Sequence, residues 1–336
     1  MTSEAVNNEG LEGGLLEQSA VDDSDDHSVT LPYSLGDLCL LRIEFKAQIV
    51  HSKFDPNAVP LALPLVPPDI PDDVAVTVHF GRLIPENTRA LYAHARALCY
   101  VRNRRLTHYV DLRSSFGDYV KEFSHKRRNT LQRNVRKLAA RFEGAMECRQ
   151  YRGPGDVAEF HSLAREVAVK TYQEKLFDGA IPGSAEFVAG LQERAINDSF
   201  RGFILLVGGR PISYIYLAID EQVAELRYLG YDPEFAESSP GTVLMYLALE
   251  HIFAEVGLRF LNLSFGEGQM KKVFGRGTFM QGGLYYFRWT ARNAIAVYAH
   301  LATDKTSRWI GSVLSTLGIR KTMRRVTRSV WSSGGA

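Results

Sequence analysis

Five consecutive residues, Ser238-Ser239-Pro240-Gly241-Thr242, carry the clearest chemical signal in the chain. Small residues before the first turn of a helix leave backbone N–H groups without intrahelical partners, and these groups attract anions together with the helix dipole. Gly241 would allow close backbone approach, and the hydroxyls of Ser238, Ser239 and Thr242 add donors. The same Ser-Pro-Gly turn also serves as an ordinary helix cap. Competing chemistries leave little trace. The nine histidines show neither H-x-x-x-H nor H-E-x-x-H spacing, so no metal site is expected, and neither a G-x-S-x-G elbow nor a Walker loop is present. Cys39, Cys99 and Cys148 form no C-x-x-C pair, which supports neither a disulfide framework nor a zinc knuckle and fits a reducing compartment.

The elements around this turn decide whether it can hold a ligand. AELRYLGY reads as a strand before it and TVLMYLALEHIFAEVG as a helix after it, with Leu244, Leu247, Ala248 and Phe253 as the apolar stripe and Gly257 as the stop. RFLNLSF follows as another strand, so the turn lies at the carboxyl end of a strand, where open sheets hold ligands. Upstream, DVAEFHSLAREVAVKTYQEKL and SAEFVAGLQERAI read as helices capped by Asp156 and Ser184, and FILLV leads through Gly208-Gly209 into PISYIYLAI as a hairpin. Downstream come a short lysine-bearing helix and an aromatic strand, GLYYFRW. From Tyr33 to Val110 the pattern predicts a smaller α+β lobe. Its strands are LCLLRIEFKAQIVH, DVAVTVHF and RLTHYVDL, and NTRALYAHARALCYV reads as a helix.

A chain of 336 residues can form two domains. Its 40 Lys/Arg and 38 Asp/Glu nearly balance, but they are segregated. No Lys or Arg occurs from Met1 to Leu41, and this acidic start lacks the basic and apolar parts of a secretory signal. Phe116 to Phe142 reads as one long amphipathic helix whose Lys126, Arg127, Arg128, Arg133, Arg136, Lys137 and Arg141 make a basic outer face. Such a face is either solvated or a docking surface for phosphate or an anionic polymer. A second basic region runs through Lys305, Arg308, Arg320, Lys321, Arg324, Arg325 and Arg328, and either packs on the domain or lies on anionic lipid. The most apolar stretch, Val59 to Val66, is broken by Pro60 and Pro64 and falls short of the roughly 20 residues of a spanning helix. The expected organisation is a disordered acidic tail (1–30), a small α+β lobe (31–115), a basic connecting helix (116–150), the main domain (151–303) and a basic helix and tail (304–336). The expected location is the cytoplasm, with the inner face of the membrane as a resting surface.

From Asp156 to Trp289 the order and residues resemble the GNAT superfamily of acyltransferases, which take an acyl group from coenzyme A. In that family the turn after the central strand reads P-x-x-[RQ]-G-x-G-x-[GA]. Counted from Pro233, Gly241 matches its last glycine, whereas Ala236 stands for the usual Arg or Gln and Ser239 for the middle glycine. A narrower resemblance is to a branch around bacterial cellulose and exopolysaccharide synthesis, related to the FemAB aminoacyltransferases. Three segments carry it in order: SHKRRNTLQRNVRKL, Tyr231-Asp232-Pro233 with Ser239-Pro240-Gly241, and NLSFGEGQMK. Asn262 replaces that branch's Asp, and Met270 its Tyr. The fold this implies is α/β (α+β), a GNAT-like mixed sheet flanked by helices and preceded by a smaller, reduced GNAT-like lobe.

The resemblance also implies roles. Acetyl-coenzyme A is the expected co-substrate, held by Tyr231, Ser238, Ser239, Gly241 and Thr242. Glu225 on the central strand is the candidate base, its plainer role being an ion pair with Arg227. With no tyrosine in the segment after RFLNLSF, the acid is expected to be Tyr228 or bound water. Lys271 matches a family lysine that contacts an anionic group or offsets charge in the transition state, with Lys272 facing elsewhere. Glu267 matches an acidic position able to orient an acceptor, and Tyr286 lies in an aromatic strand that either stacks on a sugar or fills a core. The expected reaction is acetyl or acyl transfer to an amine or hydroxyl of a sugar or polysaccharide precursor. Its partners would be acyl-coenzyme A, a sugar-like acceptor, and an anionic membrane surface or the polysaccharide-synthesis machinery, with nucleic acid disfavoured. The alternatives are tRNA-dependent aminoacyl transfer and a noncatalytic anion-sensing or docking module.

Overall fold

The computed structural model describes residues 28–316 apart from 36–37, 59, 64, 95, 172–179 and 266–267. The expected acidic tail up to residue 27, Glu267 and the basic residues from Arg320 onward lie outside the described residues. The described residues form two compact units, one spanning 105–279 and the other 28–104 together with 280–316. Strands β5 (Ala97–Asp111) and β11 (Gly277–Arg288) pass from one unit into the other. The cut after Phe279 has a plain cause, since Gln281–Phe287 pairs antiparallel with β3 (Val76–Leu83). The aromatic strand therefore joins the N-terminal strands rather than the domain that precedes it in sequence.

In the first unit the strand order is β5-β10-β9-β8-β7-β6, with β6 Met146–Tyr151, β7 Phe200–Val207, β8 Arg210–Asp220, β9 Val223–Tyr231 and β10 Phe260–Phe265. Neighbours are antiparallel except β9 and β10, which run parallel. Helices α1 (Phe116–Lys121), α2 (His125–Arg141), α5 (Pro240–Phe253) and α6 (Gln269–Phe274) bury one face, and α3 (Val157–Ala168) and α4 (Ala185–Ile196) the other. Two covered faces explain the unbroken apolar runs of β7 and β8: Phe203 and Leu205 face one core, Ile204 and Leu206 the other. Gly208 and Gly209 both take positive φ (56° and 79°), which closes the predicted hairpin.

Two predicted helices change on inspection. The basic segment is two helices, because Ser124 interrupts it and its Oγ accepts from Arg127 N–H at 3.3 Å to start α2. NTRALYAHARALCYV forms β4 (Leu91–Ala93) and the start of β5, since Leu98 and Tyr100 enter one core while Cys99 and Val101 enter another. That two-sided burial has the period of a strand. Ser184 caps α4 as expected, its Oγ accepting from Phe187 N–H at 3.2 Å, but the Asp156 side chain does not cap α3. Its carboxylate instead accepts from Arg152 and Gly153 N–H at 2.9 and 2.8 Å and closes the turn before the helix.

The second unit orders its strands β1-β2-β3-β11-β5, with β4 on β5. Here β1 is Ser28–Leu35 and β2 Leu38–His51, the latter as the sequence predicts. Helix α7 (Ala291–Thr316) begins well before Asp304 and packs Ala296 and Val297 into this core, with Tyr33 Oη donating to Ala296 O at 2.9 Å. No helix among the described residues is long and apolar enough to cross a membrane.

Candidate functional site

The parallel pair β9 and β10 creates an opening. Pairing covers Phe260↔Val223, Leu261↔Ala224 and Asn262↔Glu225, and there it stops, although β9 runs on to Tyr231. On its other edge β9 stays paired with β8, but with a bulge: Tyr216 faces Tyr228 and Leu217 faces Leu226, leaving Arg227 as the extra residue. Strand β10 is bulged too, between Asn262 and Phe265 against β5, with Ser264 at φ 67°. Both bulges bend their strands where the pair separates. The facing edges of β9 and β10 past Glu225 thus lack ladder partners from each other, which leaves room for an extended ligand to hydrogen-bond between them.

The carboxyl ends of these strands gather several of the predicted residues. Glu225 is the last paired residue of β9, and its carboxylate forms an ion pair with Arg227 at 2.7 Å, the plainer role foreseen for it. Tyr228 is half-buried, stacks on Tyr216 with ring centroids 6.2 Å apart and meets the edge of Phe187. Burial raises its phenol pKa, opposed by Arg227, so the hydroxyl keeps its proton at neutral pH. Tyr231 ends the strand, exposed.

After β9 the chain makes a 3-10 turn, Pro233–Ser238, before α5 begins at Pro240. Asp232 fixes this turn. Its buried carboxylate accepts from Glu234 N–H at 3.1 Å and pairs with Arg210 at 2.7 Å and Lys170 at 3.3 Å. In the predicted anion site, Pro240 has no N–H, and the amides of Thr242 and Val243 donate to Ser239 O at 3.0 and 3.1 Å. These two amides are therefore engaged within the turn, contrary to the reading of a wholly unpaired cradle. Gly241 serves packing as well: a Cβ there would lie 3.4 Å from Leu229 Cδ2 and 3.5 Å from Tyr231 Cδ1. Ser238 is buried, and Arg141 Nη1 donates to its Oγ at 3.4 Å. Arg141 brings a cation to the turn from α2. Sequence analysis placed Arg141 in a basic run but had no signal for this long-range contact.

Ser239 adopts the left-handed conformation, φ 50° and ψ 52°, at the position where the resembled turn carries its middle glycine. A side chain there costs roughly 1–2 kcal/mol, against roughly 0.5–1 kcal/mol of extra chain entropy for glycine. Ser239→Gly is therefore expected to raise unfolding stability by about 0.5 kcal/mol, read as a higher urea midpoint at unchanged slope. A lower midpoint would contradict this.

Lys271 lies on α6, just past the end of β10. It is 6% exposed, donates to Phe265 O, and sits 5.7 Å from the Phe265 ring centroid. Burial pulls its ammonium down to about 8. Lys272 is exposed, as the helical spacing requires. Tyr286 belongs to the other unit, where it is 3% exposed within a core that includes Cys99 and Leu284, the core role rather than the sugar platform. No group of His, Cys, Asp and Glu able to hold a metal occurs among the described residues.

A splayed parallel pair, a bulge at the splay and a turn into a helix at the strand ends occupy one stretch of chain. Residues 125–272 match the family model of the acetyltransferase (GNAT) domain. This GNAT-like domain begins in α2 and ends in α6, so it takes in Glu225, the turn and Lys271. Solved structures to which the chain is similar include a conserved protein of unknown function from Bacteroides thetaiotaomicron VPI-5482. It is 10% identical, with 63% of this chain and 69% of that one covered at a TM-score of 0.44. The C-terminal domain of a putative lysylphosphatidylglycerol synthetase from Agrobacterium fabrum is 10% identical over 68% of this chain and 72% of that one, at a TM-score of 0.43. L-PGS from Bacillus licheniformis is 14% identical over 67% and 72%, at a TM-score of 0.39. No curated protein matches the sequence at a significant level.

Proposed function

We propose that the GNAT-like domain transfers an acetyl or related acyl group from coenzyme A to an amine or hydroxyl of a sugar or polysaccharide precursor. The observation that carries the acyl-transfer reading is the separation of β9 from β10 past the Glu225–Asn262 pair. The β9 edge beyond Glu225 suits an amide-rich donor such as the pantetheine arm, whereas on β10 Ser264 N–H already donates to Asn262 Oδ1 at 2.8 Å and Phe265 O accepts from Lys271. The diphosphate would then reach the turn at Ser238–Thr242, where Arg141 offsets part of its charge. Glu225 takes the proton lost by the acceptor amine or hydroxyl as its lone pair attacks the thioester carbonyl. The carbon–sulfur bond then breaks, and the thiolate leaves as a thiol by taking a proton from Tyr228 or water. Lys271 offsets negative charge developing on the carbonyl oxygen. The sugar acceptor and the polysaccharide setting rest on the resemblance of Tyr231-Asp232-Pro233, Ser239-Pro240-Gly241 and NLSFGEGQMK to the exopolysaccharide branch.

Thermal unfolding tests the donor site. A donor present at 100 times its Kd stabilises the folded state by about 2.7 kcal/mol, so acetyl-coenzyme A is expected to raise Tm by several degrees. Pantetheine, which lacks the diphosphate, should raise it far less, and Arg141→Gln should shrink the acetyl-coenzyme A shift. Equal shifts with both compounds would remove the diphosphate from the turn. A second reading draws on α2, where Lys126, Arg133, Arg136 and Lys137 are exposed and in no ion pair among the described residues. That unopposed charge suits a tRNA-borne aminoacyl donor. Acyl transfer from acetyl-coenzyme A by purified protein without tRNA decides between the two.

A further inference from the structure

The second unit holds a cavity of its own. It measures about 470 Å³ and is lined by Tyr100, Arg102, Arg104, Met280, His300 and Asp304 among others. A volume of that order accommodates a small molecule. Tyr100 and His300 are both buried, and Tyr100 Oη lies 2.8 Å from His300 Nδ1. Burial, assisted by the Arg102 charge, pushes His300 down to about 4, so the imidazole is neutral at physiological pH. The charges that remain in the lining are Arg102, Arg104 and Asp304.

The two arginines differ in how they are used. Arg104 spends Nη1 on Thr88 O at 2.5 Å. Arg102 stacks over the Tyr285 ring at 5.5 Å, and its guanidinium makes no hydrogen bond or ion pair with any described residue. Asn103, between them, takes the left-handed conformation at φ 51°, which asparagine tolerates better than most side chains. A concave wall with an excess of one positive charge and a full fork of unspent donors is suited to a planar or tetrahedral oxyanion. Met280 and Leu301 supply apolar surface in the same lining.

We propose that this cavity binds a small molecule bearing a phosphate or carboxylate group, its anion held by Arg102 and Arg104 and its body lying against Met280, Leu301 and Tyr100. The site is separate from the acyl-transfer reading and stands or falls without it. Isothermal titration of the full chain with phenyl phosphate and with benzoate tests it and tells the two anion types apart. Saturable binding of either probe is expected, weakened at least tenfold in Arg102→Gln and lost in Leu301→Trp, which fills the cavity while leaving both arginines. Melting curves of the free variants report whether each folds. Three results overturn the proposal: neither probe binding the wild type, affinity unchanged in a folded variant of either kind, or displacement of the probe by coenzyme A.

Discussion

Lys271→Met is expected to make the protein more resistant to urea at neutral pH while cutting acyl transfer by about 10²–10³-fold. The two effects have one origin. Burial holds the Lys271 ammonium at about 8 against an ordinary value of 10.5, which corresponds to about 3 kcal/mol of penalty for keeping it charged in the folded state. Methionine removes that penalty at similar length, but it also strips the donor from Phe265 O, a loss of about 1 kcal/mol. The net gain at pH 7 is therefore about 1–2 kcal/mol. The sign can be followed with pH. Between pH 8 and 10.5 the unfolded chain binds the proton that the folded lysine has released, so wild-type stability rises with pH across that window. Below pH 8 the full penalty applies, and above 10.5 it is gone. The advantage of Lys271→Met should thus shrink between pH 8 and 10.5 in urea titrations. A variant less stable than wild type at pH 7 would mean that the buried amine is structural, and a rate loss would then carry no catalytic meaning.

Much of the first unit was legible because its patterns are local. Gly208-Gly209 marks a hairpin whatever surrounds it, and the run from Thr242 to Gly257 has both a stripe and a stop. The second unit was harder to read. Leu98, Cys99, Tyr100 and Val101 are apolar without alternation because two cores receive them on opposite faces, and their composition fits a helix as well as a strand. Domain limits failed to show for a related reason. Nothing near Phe279 announces that the next residues pair with β3, some 200 positions earlier. At the candidate site, Tyr231, Gly241 and Lys271 were visible as residue types at family spacings. The Arg227 bulge and the reach of Arg141 to Ser238 were not, since each depends on a register or contact set by distant chain.

Glu225→Gln should lower kcat by about 10²–10³-fold and leave the KM for acetyl-coenzyme A nearly unchanged, as removal of a general base does. The ion pair with Arg227 supplies a competing explanation, because any change at Glu225 also leaves that guanidinium without its partner. Both side chains are partly exposed, Glu225 22% and Arg227 37%, so breaking the pair should cost under about 1 kcal/mol of stability. Arg227→Gln breaks the same pair and leaves the carboxylate in place, which separates the two roles. If Glu225 accepts the acceptor's proton, Arg227→Gln retains most of its kcat while Glu225→Gln does not. If the pair merely braces the bulge between Leu226 and Tyr228, the two variants lose rate equally. Equal losses would take the proton-accepting role away from Glu225 and leave it to another group at the opening between β9 and β10.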